Sequence, residues 1–189
     1  MVKPLLFASL LFLSAQVFSF EPLPKAYVVE VGRENAKTQI VEYFSLGCPL
    51  CLSLIKSEFK DIFFECIQKK DVCWTFHPDP LDLTTLRFMI CLENIPPKHR
   101  FPFFWETIQA VTPGNHQRNA LMLKALSERY GGKQLPLGDL DFISESQAKR
   151  DSFSYLQQPD IPQTLPALSK NGKFLNILPQ LKSIKEAIL

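Results

Sequence analysis

Cys48 and Cys51 stand two residues apart in Cys48-Pro49-Leu50-Cys51. Two thiols at that spacing can close a disulfide across one helical turn and open it again by thiol–disulfide exchange. Their setting decides between that chemistry and a plain staple. Ile40-Val41-Glu42-Tyr43-Phe44 is a short run rich in β-branched and aromatic residues, which reads as a buried strand. After the pair, Leu52, Ile55, Phe59, Ile62, Phe63 and Cys66 recur at three- and four-residue steps, one face of a helix. The cysteines therefore fall where a strand passes through Ser45-Leu46-Gly47 to a helix N-terminus. Unpaired N–H groups and the positive end of the helix dipole favour an anion there. Cys48, at the helix start, is the candidate nucleophile, and Cys51, deeper in the first turn, is the resolving thiol. Pro49 suits that first turn, where its missing N–H costs nothing. A structural staple or half of a zinc site is the competing reading of a bare CxxC; the strand–turn–helix context favours redox chemistry.

Glu42 lies inside the apolar strand that leads to Cys48. A carboxylate buried there is costly, so its pKa should rise, and it could then relay a proton to or from Cys51. The competing placement is an edge-facing glutamate in water. His77, His99 and His116 stand beside prolines or in polar loops and read as surface or strand-end residues. Zinc would require Cys48 and Cys51 with two further ligands such as Cys66 and Cys73, and their placement makes a tetrahedron awkward.

Two segments carry a family resemblance. Val41-Glu42-Tyr43-Phe44-Ser45 followed by Cys48-Pro49-Leu50-Cys51 resembles the active-site segment of DsbA-like thiol–disulfide oxidoreductases of the thioredoxin superfamily. Thr164-Leu165-Pro166-Ala167-Leu168, then Lys170-Asn171-Gly172-Lys173-Phe174, resembles that family's cis-proline loop and the hairpin after it. The resemblance implies an α/β thioredoxin fold, a central mixed sheet flanked by helices, with a helical insertion. It implies Cys48 as nucleophile and Cys51 as resolving thiol. It matches Glu42 to the acidic residue beneath the active site and Pro166 to the cis-proline facing the CxxC. Leu165 then offers strand-like contact to a substrate chain, with Pro49 and Leu50 on the same substrate-binding side. No metal or organic cofactor is required. The best-known pattern has His where this chain has Leu50. Leucine donates no hydrogen bond and carries no charge, so the Cys48 thiolate loses a stabilising partner. Thioredoxin and DsbA differ by about 150 mV, or about 7 kcal/mol for two electrons, and most of that tracks thiolate stability. A weaker oxidant than DsbA, or a reductase, is therefore expected. A metal carrier or chaperone-like binding protein on the same fold is the alternative.

The remaining sequence must position these groups. Strands are expected at Tyr27–Val31, Ile40–Phe44 and Val72–Phe76, the last stopped by Pro78-Asp79-Pro80. The CxxC helix should run to about Lys69, with Lys69-Lys70 at its negative end. Helices are expected at Thr84–Leu92, capped by Asp82 or Thr84, at Phe103–Val111 and at Ala120–Tyr130, the last closed by Gly131-Gly132. Residues 81–139 thus form the insertion, and 20–80 with 140–189 the thioredoxin-like domain. A further helix is expected over Phe142–Gln157, then a strand at Leu165–Ser169, a type I′ turn at Asn171-Gly172, a partner strand at Lys173–Ile177 and a closing helix at Gln180–Leu189.

The 189 residues suit one domain with an insertion, and 46% hydrophobic residues with 16 Phe can fill a core. The net charge of +2 is spread thinly, without a basic stripe, which gives no case for a nucleic-acid partner. Residues 1–19 read as a cleaved signal peptide: Lys3, an apolar core from Leu5 to Leu13, then Val17-Phe18-Ser19 as the cleavage site. Export, in the periplasm, implies an oxidising compartment. The expected partners are exported protein thiols and disulfides and a membrane redox partner that recycles the site; a monomer is the default. Cys66, Cys73 and Cys91 allow one further bridge, with Cys66–Cys73 favoured if one forms, or serve as small buried hydrophobes. The Phe101-Pro102-Phe103-Phe104-Trp105 run reads mainly as core, any exposed part being a groove for unfolded chains.

Overall fold

The computed structural model describes residues 21–68, 71–176 and 181–188. The expected signal peptide and the Lys69-Lys70 pair lie outside the described residues. A single 3₁₀ turn at Lys25–Tyr27 leads into β1, Val29–Gly32. The first strand therefore starts later than its β-branched pattern suggests, because Pro24 turns the chain and buries Tyr27 instead. The central strand β2 spans Thr38–Phe44, and β3 spans Val72–Pro78. The helix that starts at the cysteines, α1, covers Pro49–Ile62 and continues as a π-helical turn, Phe63–Ile67.

Three helices follow β3: α2 at Leu83–Asn94, α3 at Pro97–Ala110 and α4 at His116–Arg129. Asp82 caps α2, accepting hydrogen bonds from the Thr84 and Thr85 N–H groups. The expected helix over Phe142–Gln157 is two helices, α5 at Leu140–Glu145 and α6 at Gln147–Leu156. Ser146 breaks it: its backbone is extended, and its hydroxyl caps α6 at the Lys149 N–H. The chain then makes β4, Ala167–Lys170, and β5, Lys173–Phe174, and ends in α7, Leu181–Ile188. Asn171 and Gly172 have φ of 50° and 80°, the positive pair that a type I′ hairpin turn needs.

The strands form one mixed sheet in the order β1-β3-β2-β4-β5, with β2 parallel to β3 and the other pairs antiparallel. The pleat sorts side chains onto two faces. Ile40, Phe44, Val72, Trp74, Phe76 and Leu168 join the apolar core beneath α1, where the Phe59 ring lies 4.9 Å from that of Phe76. The insertion packs into the same core: Phe44 meets Phe88 of α2 and Phe104 of α3 edge-on. Phe103 and Phe104 are fully buried, with Phe101 and Trp105 packed partly exposed against them, so that aromatic run is core. The opposite face carries Tyr43, Thr75, His77 and Ser169, part of it under α6 through Tyr155. Among the described residues no helix is long and apolar enough to cross a membrane.

The favoured Cys66–Cys73 bridge does not form; these two and Cys91 are buried thiols. Cys66 sits in the π-helical turn that continues α1 and packs into the core with Val72 and Trp74. Cys73, between those two residues on β3, points through the pleat to the other side of the sheet. One layer of backbone separates the sulfurs, so no rotamer can join them. The same separation removes the four-cysteine zinc arrangement.

Candidate active site

Cys48 is the N-cap of α1, with extended backbone, and Pro49 is the first helical residue. Cys48 and Cys51 form a disulfide with their Cα atoms 5.3 Å apart. Cys48 Sγ also accepts the Cys51 N–H at 3.1 Å, one of the donors a helix N-terminus leaves unpaired. Of the five cysteines, Cys48 alone reaches the surface; Cys51, Cys66, Cys73 and Cys91 are buried. Leu50 is 70% exposed beside it, and Pro49 is exposed as well.

Across a shallow groove stands the segment 162–165. The Leu165–Pro166 bond is cis, and the Leu165 carbonyl oxygen lies 3.9 Å from Cys48 Sγ. Strand β4 begins at Ala167, after Pro166, which has no N–H to donate to a ladder. The groove holds about 310 Å³ and brings Cys48, Leu81, Asp82, Pro162, Gln163 and Leu165 together.

Glu42 is 1% exposed and faces the core side of the sheet, paired in register with Phe76 and Leu168. The edge-facing placement in water is thereby excluded. Trp74 Nε1–H donates to Glu42 Oε2 at 3.0 Å, whereas Oε1 has no partner among the described residues. Burial pushes the Glu42 carboxyl up to about 8, with the indole hydrogen bond opposing it weakly. At neutral pH the group is mainly a carboxylic acid with a proton to give.

Asp82 organises the loop before Cys48, a role beyond helix capping that its sequence position does not reveal. Its Oδ2 accepts the Ser45 hydroxyl at 2.5 Å, the Gly47 N–H at 3.0 Å and the Thr85 hydroxyl at 2.6 Å. Its Oδ1 holds the Thr84 and Thr85 N–H groups. Burial raises its pKa, but those donors prevail and hold the carboxyl below its ordinary value. Residue 47 must be glycine for this contact, since a Cβ there would lie 2.9 Å from Asp82 Oδ2.

The histidines divide. His77 stands at a strand end, as expected, but is buried and not at the surface, because β3 runs on to Pro78 and carries it beneath α6. Its Nε2 accepts the Leu23 N–H at 3.0 Å, its ring lies 4.8 Å from Tyr43, and burial pushes its pKa down to about 3. Asp79 follows it, buried, with its carboxyl pushed up to about 6 and Tyr155 donating at 3.4 Å. His99 and His116 contact the Tyr130 carbonyl and the Thr84 hydroxyl and stand apart from the cysteines.

A family model described as thioredoxin matches residues 25–188. No curated protein matches the chain. Solved structures do. Oxidised BdbD from Bacillus subtilis superposes with a TM-score of 0.68 at 20% identity, over 90% of this chain and 96% of that one. DsbA from Chlamydia trachomatis gives 0.63 at 14% identity, over 90% and 92%. The catalytic domain of ScsC from Proteus mirabilis gives 0.59 at 16% identity, over 86% and 88%. At these identities the likeness is one of fold.

Proposed function

Since this chain belongs to the thioredoxin family, we propose that it is an exported protein thiol–disulfide oxidoreductase working through Cys48 and Cys51. The observation that carries this reading is the exposure pattern: one reachable sulfur, in a disulfide with a buried one, at a helix N-terminus and opposite a cis-proline.

In the oxidising direction a substrate thiolate attacks Cys48 Sγ. The Cys48–Cys51 bond breaks, its electron pair leaves on Cys51, and a mixed disulfide joins Cys48 to the substrate. Glu42, protonated at neutral pH, gives its proton to the Cys51 thiolate. A second substrate thiolate then attacks the substrate sulfur of the mixed disulfide and releases Cys48. The substrate loses two electrons and the enzyme gains them. Reduction of a substrate disulfide runs the steps backwards, with Cys48 attacking and Cys51 resolving. Leu165 presents extended backbone for the substrate chain, and Pro49 and Leu50 flank its path.

Leu50 supports a site less oxidising than that of DsbA, because nothing on its side chain stabilises the Cys48 thiolate. The substrates are exported proteins, and a membrane redox partner restores the active site of a monomeric enzyme in the periplasm; the apolar stretch from Leu5 to Leu13 supports export. Equilibration of the mature protein against glutathione tests the reading. Reversible two-electron cycling is expected, with turnover abolished by Cys48→Ser and a trapped mixed disulfide in Cys51→Ser. Absence of cycling would overturn it. A potential near about −120 mV would overturn the Leu50 argument, and one near about −270 mV would make the protein a reductase.

A further inference from the structure

The helical insertion holds a second cleft, away from the cysteines, of about 550 Å³ between α2, α4 and the segment 135–140. Arg87 of α2 forms part of its wall and is only 5% exposed. Its Nη1 donates to the His116 carbonyl oxygen at 3.1 Å. Its Nε–H has no partner, and no ion pair reaches it among the described residues. Removing a guanidinium from water without a counter-charge is unfavourable. Burial accordingly lowers the Arg87 pKa, with no carboxylate to offset it.

The surroundings of Arg87 add positive charge. Lys124, half-buried on α4, lines the same cleft, as do His116 and Gln117 in the first turn of α4, where the helix dipole is positive. No described carboxylate lines it. Asp139 is adjacent in sequence, but its side chain caps α5 at the Asp141 and Phe142 N–H groups. The rest of the wall is apolar. Leu135 and Leu137 are buried in it, and Leu121 and Leu140 are largely exposed at its rim.

We propose that this cleft binds an amphipathic carboxylate, a small molecule with one anionic head on an apolar body. The Nε–Nη2 edge of Arg87, not used by the His116 carbonyl, suits the two oxygens of a carboxylate. Lys124 supplies the second cation, and the leucine walls take the apolar body out of water. The volume falls within the range of small-molecule sites. A carboxylate fits better than a phosphate, because leucine and proline walls offer few donors to the additional oxygens of a dianion.

The test is calorimetric titration of the mature, disulfide-intact protein with octanoate, with 1-octanol, acetate and inorganic phosphate as comparisons. Octanoate should bind saturably, one to one, at sub-millimolar concentration, and at least tenfold more tightly than any of the three. Arg87→Met and Lys124→Met should each weaken octanoate at least tenfold. Arg87→Met removes an uncompensated buried charge and should not unfold the chain, and Lys124→Met acts at a half-buried position. The proposal fails if octanol binds as well as octanoate, if phosphate binds as well, or if both variants bind like the parent. Tighter binding of a short peptide with one glutamate between leucines would also overturn it, by assigning the cleft to polypeptide. The readout is binding, so the disulfide chemistry of Cys48 does not enter it.

Discussion

Trp74 donates its indole N–H to one oxygen of Glu42 at 3.0 Å, and the other oxygen of that buried carboxyl has no described partner. A single neutral donor does not replace the water lost, and the folded protein holds the proton up to about pH 8 instead of 4.5. Between those values the folded state binds a proton that the unfolded state has released. Stability from this group is therefore complete below pH 4.5 and lost as pH rises through 8, by on the order of 5 kcal/mol. Glu42→Gln removes the titration. Urea unfolding of the oxidised protein at pH 4, 6 and 8 should show the variant gaining on the parent at each step. A difference independent of pH would mean that folding leaves the Glu42 pKa at its ordinary value.

Asp82 and Gly47 should behave as a coupled pair. Asp82→Ala leaves the Ser45, Gly47, Thr84 and Thr85 donors without their acceptor and should cost roughly 2–4 kcal/mol. Asp82→Ser retains an N-cap for α2 and should recover about 1 kcal/mol of that. Gly47→Ala places a methyl against Asp82 Oδ2 and should cost roughly 1–3 kcal/mol. The double variant Gly47→Ala with Asp82→Ser should cost less than the sum, because the clash disappears with the carboxylate. Strict additivity in denaturant melts would refute the coupling.

Leu50→His tests the origin of the redox poise. The side chain is largely exposed, so stability should change by less than about 0.5 kcal/mol. An imidazole beside Cys48 should lower the thiol pKa by roughly one unit and shift the glutathione equilibrium toward a stronger oxidant. Thiolate absorbance against pH measures the first effect. An unmoved pKa would place the control elsewhere than at this residue.

His77 carries the opposite pH dependence to Glu42. Its pKa is held at about 3, below 6.5, so the stability it contributes is present above pH 6.5 and lost as acid protonates the unfolded chain toward pH 3. His77→Gln, which retains an acceptor for the buried Leu23 N–H, should flatten acid unfolding in that window. His77→Leu should flatten it too but cost about 1–3 kcal/mol at neutral pH, because that N–H is left unpaired.

The strand–CxxC–helix unit was legible because its periods differ: the run into Phe44 is a strand, and the apolar steps after Cys51 are helical. The unusual burial of Glu42 was legible for a related reason, as a charge interrupting an apolar strand. Asp82 was legible only as a cap, since Ser45 and Gly47 reach it through a loop that no local pattern connects to residue 82. His77 is legible as a strand-end residue but not as a buried one, because α6, which covers that end of β3 through Tyr155, is remote in sequence. The split at Ser146 followed a capping preference that competes with helical spacing within one apolar pattern. Sequence spacing also suggested that Cys66 could reach Cys73, but the pleat of β3 decided otherwise.

That pleat has a chemical consequence of its own. A protein that trades disulfides keeps a strong electrophile at its surface, and every spare thiol of its own is a competing substrate. Here the three spare thiols are quarantined by location: Cys66 in the π-helical turn at the far end of α1, Cys73 behind the sheet and Cys91 inside α2, its thiol pushed up to about 12 by burial. None can reach Cys48 while the chain is folded. When the Cys48–Cys51 pair is in its disulfide form, Cys48 is therefore open only to a thiol of a second molecule, and self-inactivation requires unfolding first.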